Sequence, residues 1–315
     1  MHDGYDNRRI AALRSPKNAV NPYIPYHFLH EQEPGLSGNI EMVNTLFLTG
    51  KECVYKCLMC DLWKNTLDEA APLGAITRQI DYALERLPPA NTIKLYNSGN
   101  FFDTKAISPQ EYPAISHRLT HYKRVVVENH PKLCNNQCLE FNDQFDGQLE
   151  VAMGLETIHP DVLPKLNKQL TPEDFKKATV FLTNHAIDVR AFVLLNPPYL
   201  TQPQESIEWT LKSVRYAFES GAARCSVIPV RPGNGVMEVL WKEKHYTPPS
   251  LTMLEEVMEK ALLLRQGQVF ADTWDIGFLS SCPVCFEARK ERLEKMNLTQ
   301  HIIPSIQCHC NSSYV

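Results

Sequence analysis

The sequence predicts an α/β protein built on a parallel sheet, with helices outside and a cysteine-bearing C-terminal extension. Three observations predict it. Short β-branched runs alternate along the chain with amphipathic stretches of helical length. Polar residues fall just after those runs, at the strand ends where an α/β barrel meets its ligands. The length, 315 residues, is long for one ordinary domain but normal for a single barrel.

Residues 1–40 are rich in Pro, Asn, His and Tyr and show no period, so they read as an irregular lead-in. The barrel is expected over 41–272. Its predicted strands are Val43–Leu48, Thr92–Tyr96, Arg124–Glu128, Leu149–Gly154, Val189–Leu195 and Cys225–Val230. Between them lie predicted helices at Ile76–Leu87, Glu111–His121, His159–Leu166, Pro172–His185 and Ile207–Ser220. Thr171 reads as an N-cap, with Pro172 in the first turn of the helix that follows. A helix over Leu251–Leu264 and a short apolar run at Val269–Phe270 lead into the extension, 273–315. Repeated strand-then-helix units imply a parallel barrel. An eight-unit barrel is the alternative to six units.

Hydrophobic residues make up 43% of the chain with no low-complexity tract, as expected of a folded protein with a sizeable core. The longest apolar runs, such as Ala191–Leu195, are strand-sized and too short for a bilayer, so no membrane association is expected. The first residues lack an apolar h-region, and ten cysteines without an export signal favour metal or redox chemistry over disulfides. A cytoplasmic location is expected. Net charge is −4, from 32 Lys and Arg against 36 Asp and Glu, without the basic surplus that phosphate binding favours. The pairs Lys176-Lys177 and Arg289-Lys290 read as solvated helix faces.

Cys53, Cys57 and Cys60 follow the first predicted strand at C-x3-C-x2-C spacing. Three thiolates on one tight loop can hold three irons of a 4Fe-4S cluster, and no fourth cysteine follows closely, so one iron stays open. A structural zinc site more often takes four ligands from two hooks. In this loop the chain resembles the radical S-adenosylmethionine (SAM) superfamily. The resemblance implies a partial (βα)6 barrel of TIM type, which the six predicted units match. It implies that the open iron binds the amino and carboxylate groups of SAM. One electron then yields methionine and a 5'-deoxyadenosyl radical that abstracts hydrogen from an organic substrate. An electron donor such as flavodoxin or ferredoxin is implied with it.

The resemblance also assigns residues at later strand ends. Where the superfamily has a GGEP-like segment for the SAM amino group, this chain has Asn97-Ser98-Gly99-Asn100. Gly99 lets the backbone approach closely, and the amides and hydroxyl supply neutral donors and acceptors. Glu128, a carboxylate after an apolar strand, faces the mouth and is a candidate for the SAM ribose or the substrate. Gly154-Leu155-Glu156-Thr157 is similar to a phrase of the branch that holds the Elongator catalytic subunit, the methylthiotransferases and, distantly, the archaeosine-synthase radical subunit. That likeness places Glu156 near the SAM ribose or amino group and Lys168 towards its carboxylate, and Arg190, which opens the fifth predicted strand, is a further candidate for the carboxylate. An exposed helix-end lysine is the plain alternative for Lys168.

Cys282-x2-Cys285 and Cys308-x-Cys310 form two hooks that make a four-ligand site, with His309 as a substitute ligand. Zinc and a second 4Fe-4S cluster both satisfy it. The charged helix Phe286–Thr299 between the hooks would fold the tail back on itself. Cys134 and Cys138 read as packed or paired thiols, and Cys225 as core. The expected activity is radical SAM chemistry on a small molecule in preference to tRNA. The alternatives are a tRNA-base-modifying radical enzyme, or a non-catalytic iron-sulfur or zinc protein that binds a partner through its tail.

Overall fold

The computed structural model describes residues 5–310; residues 1–4 of the lead-in and 311–315 of the extension lie outside the described residues. One curled sheet carries eight strands in chain order. They are β1 (His27–Pro34), β2 (Ile40–Phe47), β3 (Thr92–Tyr96), β4 (Arg124–Glu128), β5 (Gln148–Glu156), β6 (Asp188–Leu195), β7 (Arg224–Pro229) and β8 (Gln268–Ala271). β1 is antiparallel to β2, and every later pair is parallel. The helices are α1 (Asn7–Leu13), α2 (Ala75–Leu84), α3 (Tyr112–Leu119), α4 (Asn136–Asn142), α5 (Pro172–Thr183), α6 (Pro203–Glu219), α7 (Val236–Lys242), α8 (Leu251–Leu262) and α9 (Phe286–Thr299). The sheet curls until its edges approach: the Gln268 amide donates to the Gly35 carbonyl, just past β1, at 2.7 Å. The result is the partial TIM-type barrel expected.

All six predicted strands are present as β2 to β7. Two more were not legible. β8 has only four residues, and β1 carries Glu31 and Glu33, so no apolar alternation marked it. The predicted irregular lead-in is therefore corrected: it holds α1 and β1. The predicted helix over His159–Leu166 shrinks to one 3-10 turn, Leu163–Leu166. Pro160 and Pro164 remove the donors a longer helix needs. The Thr171 cap is realised as a reciprocal capping box with Asp174.

Strand periodicity divides the residues between two faces. Leu149, Val151, Met153 and Leu155 of β5, with Val189, Ala191, Val193 and Leu195 of β6, belong to the main hydrophobic core beneath the helices. The alternate residues face the lumen, whose base is charged. Glu150, fully buried, meets Arg190 at 2.7 Å, Arg124 at 3.1 Å and Arg224. Glu33 of β1 pairs with Arg190 at 2.9 Å and with Lys94. Buried charges are tolerated only when paired, and here each one is.

A second core sits over the mouth. Tyr5, Ile10, Leu58, Leu163, Leu166, Leu200, Val230 and Tyr246 pack together there, joining α1 to the cysteine loop and to the loops after β5, β6 and β7. On the other flank, the side chain of Asn297 bonds both backbone groups of Ala271, and that of Gln300 bonds both of Val269, at 2.8–2.9 Å. α9 thus covers the free edge of β8, which would otherwise expose a template for strand pairing.

Candidate functional site

The loop carrying Cys53, Cys57 and Cys60 leaves β2 and crosses the mouth. It is fixed from several sides. Leu58 is buried in the second core, and its N–H donates to the Leu166 carbonyl at 2.9 Å. The Asn234 amide donates to the carbonyls of Leu58 (2.9 Å) and Cys60 (3.1 Å). Asn167 holds the Lys56 carbonyl at 2.8 Å, and Trp63 holds that of Cys60 at 3.1 Å. Lys56, Lys17 and Arg14 converge on Glu52 at the start of the loop.

The thiols are largely sequestered. Burial pushes the Cys57 thiol up to about 12 and that of Cys60 upward too, so both stay protonated at neutral pH unless a metal takes the proton's place. Cys53 accepts hydrogen bonds from the Asn100 amide (3.1 Å) and from the Tyr55 N–H (3.4 Å). The Tyr55 ring stacks on His130, centroids 3.8 Å apart. Burial, then the Lys168 charge, lowers His130 to about 3, so this imidazole is neutral.

The residues after β3, β4 and β5 meet the same loop. The Asn97 and Gly99 N–H groups donate to one Glu128 oxygen at 2.7 and 3.2 Å, so the carboxylate organises the 97–100 turn. Burial raises Glu128 to about 7 against the pull of those N–H groups. Asn100 Oδ1 accepts the His130 N–H at 2.7 Å while its amide faces Cys53, so the turn is tied both to β4 and to the cysteine loop. The Asn97 side chain is fully buried, and neither its nitrogen nor its oxygen has a partner among the described residues. Lys168 is buried and donates to Glu156 at 2.5 Å. Its charge acts on Cys53 and Cys57, pulling both thiols down against burial. A Cβ at position 154 would overlap the Glu156 carboxylate and stand 2.5 Å from Lys168 Nζ, so any other residue there would push this pair aside. Ser98, Glu156 and Asn196, at the ends of β3, β5 and β6, have φ of 54°, 65° and 58°. Such strained backbone in non-glycine residues clusters at functional sites.

No protein-family model matches the chain. It is 26% identical over 292 residues to an uncharacterised protein of Methanocaldococcus jannaschii, covering 85% of this chain and 80% of that one. It is 25% identical over 273 residues to archaeosine synthase subunit beta of Methanosarcina acetivorans, covering 81% and 77%. Among solved structures it resembles Elp3 of Methanocaldococcus infernus lacking its N-terminus, with a TM-score of 0.52, 17% identity and 71% of this chain covered. It also resembles Streptococcus suis SuiB bound to S-adenosylmethionine, with a TM-score of 0.50, 14% identity and 70% covered. The chain spans 59% and 48% of those two structures. The chain shares the fold of these two structures.

The resemblance in the cysteine loop implies a cluster and SAM at the mouth, and the residues found there have the chemistry to hold both. The loop offers three thiols and no fourth ligand. The orphaned Asn97 amide offers a buried donor and acceptor to a polar ligand, since leaving both unpaired is costly. Asn97, Ser98, Gly99, Asn100, Glu128, Glu156 and Lys168 are all brought to this end of the barrel. Arg190 is not. It lies low in β6, and Glu33 and Glu150 occupy its guanidinium, because the base needs a cation between two buried carboxylates. Sequence reasoning gave no role to His130 or to the Asn234 side chain. A polar side chain amid the Pro and Gly after β7 was the available signal for Asn234.

Cys282, Cys285, Cys308 and Cys310 are brought together beside α9, all four ligand atoms within 4.8 Å of one another. Cys134 and Cys138 pack near β4 and β5, where Cys134 touches Met153 Sδ at 3.4 Å, and Cys225 is core.

Proposed function

We propose that the chain is a radical SAM enzyme that acts on a base in tRNA. Cys53, Cys57 and Cys60 would hold a 4Fe-4S cluster, with SAM at its open iron. When bound, they supply one-electron reductive cleavage of SAM and a hydrogen-abstracting 5'-deoxyadenosyl radical, given a flavodoxin- or ferredoxin-like donor. The observation that carries this reading is the joint attachment of the cysteine loop and the strand-end residues, with the Asn100 amide on Cys53 and Lys168 between Glu156 and the thiols.

Each residue has a physical task. Asn100 donates to the Cys53 sulfur and draws charge from it. Lys168 sets a buried positive charge beside an anionic ligand set, and Glu156 keeps the ammonium in place. Glu128 holds the 97–100 turn open towards the mouth, and Asn97 presents an unpaired amide to the polar head of SAM. The second core and the aromatic side chains Phe47, Tyr96 and Phe192 exclude water from the lumen above the charged base.

What supports the tRNA substrate is the similarity to archaeosine synthase subunit beta over most of both chains, which weakens the small-molecule preference drawn from net charge. The test is SAM turnover by reconstituted, reduced protein. Bulk tRNA from cells that lack this protein should raise 5'-deoxyadenosine release and acquire a new base mass. Stimulation by free metabolites, with tRNA inert, would restore the small-molecule reading.

A further inference from the structure

We propose that Cys282, Cys285, Cys308 and Cys310 bind one zinc ion as a structural clasp, not an iron-sulfur cluster. The sulfur separations carry it. All four Sγ atoms lie within 4.8 Å of one another, with Cys282 to Cys308 at 3.9 Å and Cys285 to Cys310 at 3.5 Å. Tetrahedral zinc with bonds of about 2.3 Å sets its sulfurs about 3.8 Å apart. In a cubane the thiolates stand outside four separate irons, so their sulfurs are about 6 Å apart. A two-iron cluster divides its ligands into two pairs with a similar gap between them. Four thiols gathered this tightly have room between them for a single ion and not for a cluster.

Four protein ligands leave no open position, which marks a structural site and not a catalytic one.

What the ion clasps is the tail. α9 runs alongside α8, with Arg289 on Glu255 and Arg292 on Glu259. The chain then turns back along α9, where Arg292 donates to the carbonyls of Ile303 (2.6 Å) and Pro304 (3.0 Å). No residue from Pro304 to Cys310 is buried, so apolar packing does not hold this segment. Metal-binding free energy takes over that task, as in small zinc modules. The clasp also anchors the stretch that carries Asp272 and Trp274 past the mouth, where Arg231 meets Asp272 at 2.6 Å and the Trp274 ring meets His27.

The assignment uses none of the residues of the proposed radical site, so the two stand or fall separately. The test is metal and acid-labile sulfide analysis of the full chain and of C53A/C57A/C60A, each expressed with zinc and iron supplied. The triple variant should keep one zinc per chain without sulfide, and C308S/C310S should lose that zinc and be cleaved in the tail at least tenfold faster by protease. Iron in place of zinc in the triple variant, with or without sulfide, or zinc retained by C308S/C310S, overturns the clasp. Should the triple variant fail to fold, cobalt replaces it as a probe of the full chain stripped of iron. The visible bands of tetrahedral cobalt tetrathiolate should appear in the wild type and vanish in C308S/C310S; their absence in the wild type, or persistence in the variant, refutes the assignment.

Discussion

At the base of the barrel Glu150 is enclosed by three guanidiniums, whereas at the mouth Glu156 meets one lysine and the buried Asn97 amide beside it meets nothing. Both ends draw on acidic, basic and amide side chains, and both are buried. They differ in what is left over: at the base only Arg124 Nε lacks a partner among the described residues, whereas at the mouth both polar atoms of Asn97 and the Asn196 oxygen do. Base charges cancel within the chain, along regular strands. The mouth keeps polar groups unpaired and turns its backbone through the left-handed region at Ser98, Glu156 and Asn196. A buried charge by itself does not mark a functional site; an unfinished network does.

The comparison can be broken most forcefully at the base. Glu150→Ala leaves Arg124, Arg190 and Arg224 around an empty site, and removing one partner of a buried ion pair costs about 3–5 kcal/mol. Urea or thermal unfolding should show that loss. Next comes Gly154→Ala at the mouth. Its methyl group displaces the Glu156–Lys168 pair, so a cost of about 1–3 kcal/mol from overpacking is expected, together with weaker SAM binding in calorimetry.

Asn97→Ala separates the two ends most sharply. It removes two unpaired polar atoms, so stability should hold or rise, while SAM affinity falls by roughly tenfold, the worth of about one hydrogen bond to a charged group. A matching loss of stability would place Asn97 in the fold and not in the site. The last comparison is with pH. Burial by itself raises Glu150, but Arg190, Arg224 and Arg124 hold it at about 2, against an ordinary 4.5. A depressed carboxylate contributes its stability above the unfolded value and loses it as pH falls through the folded one. The urea midpoint should therefore drop between pH 4.5 and 2, and drop less in Glu150→Gln.

Much of the mouth was legible in the sequence because motif and strand end coincide there. Cys53, Cys57 and Cys60 follow a readable strand, and the turns at Asn97 and Glu156 follow two more. The base was not legible. Glu33 sits in a strand whose charged face hid it, and Arg190 looked like a ligand because only three dimensions show that Glu33 and Glu150 already hold it. The tail hooks could be read as a metal site from spacing alone, whereas the number of metal ions depends on sulfur separations that spacing does not encode.

The most direct measurement is reductive SAM cleavage by anaerobically reconstituted protein, comparing the wild type with Cys57→Ala. The wild type should bind four irons at the Cys53–Cys60 loop and release 5'-deoxyadenosine and methionine on reduction, while Cys57→Ala releases neither. Equal 5'-deoxyadenosine from both proteins would contradict the assignment of this loop as the centre of the chemistry.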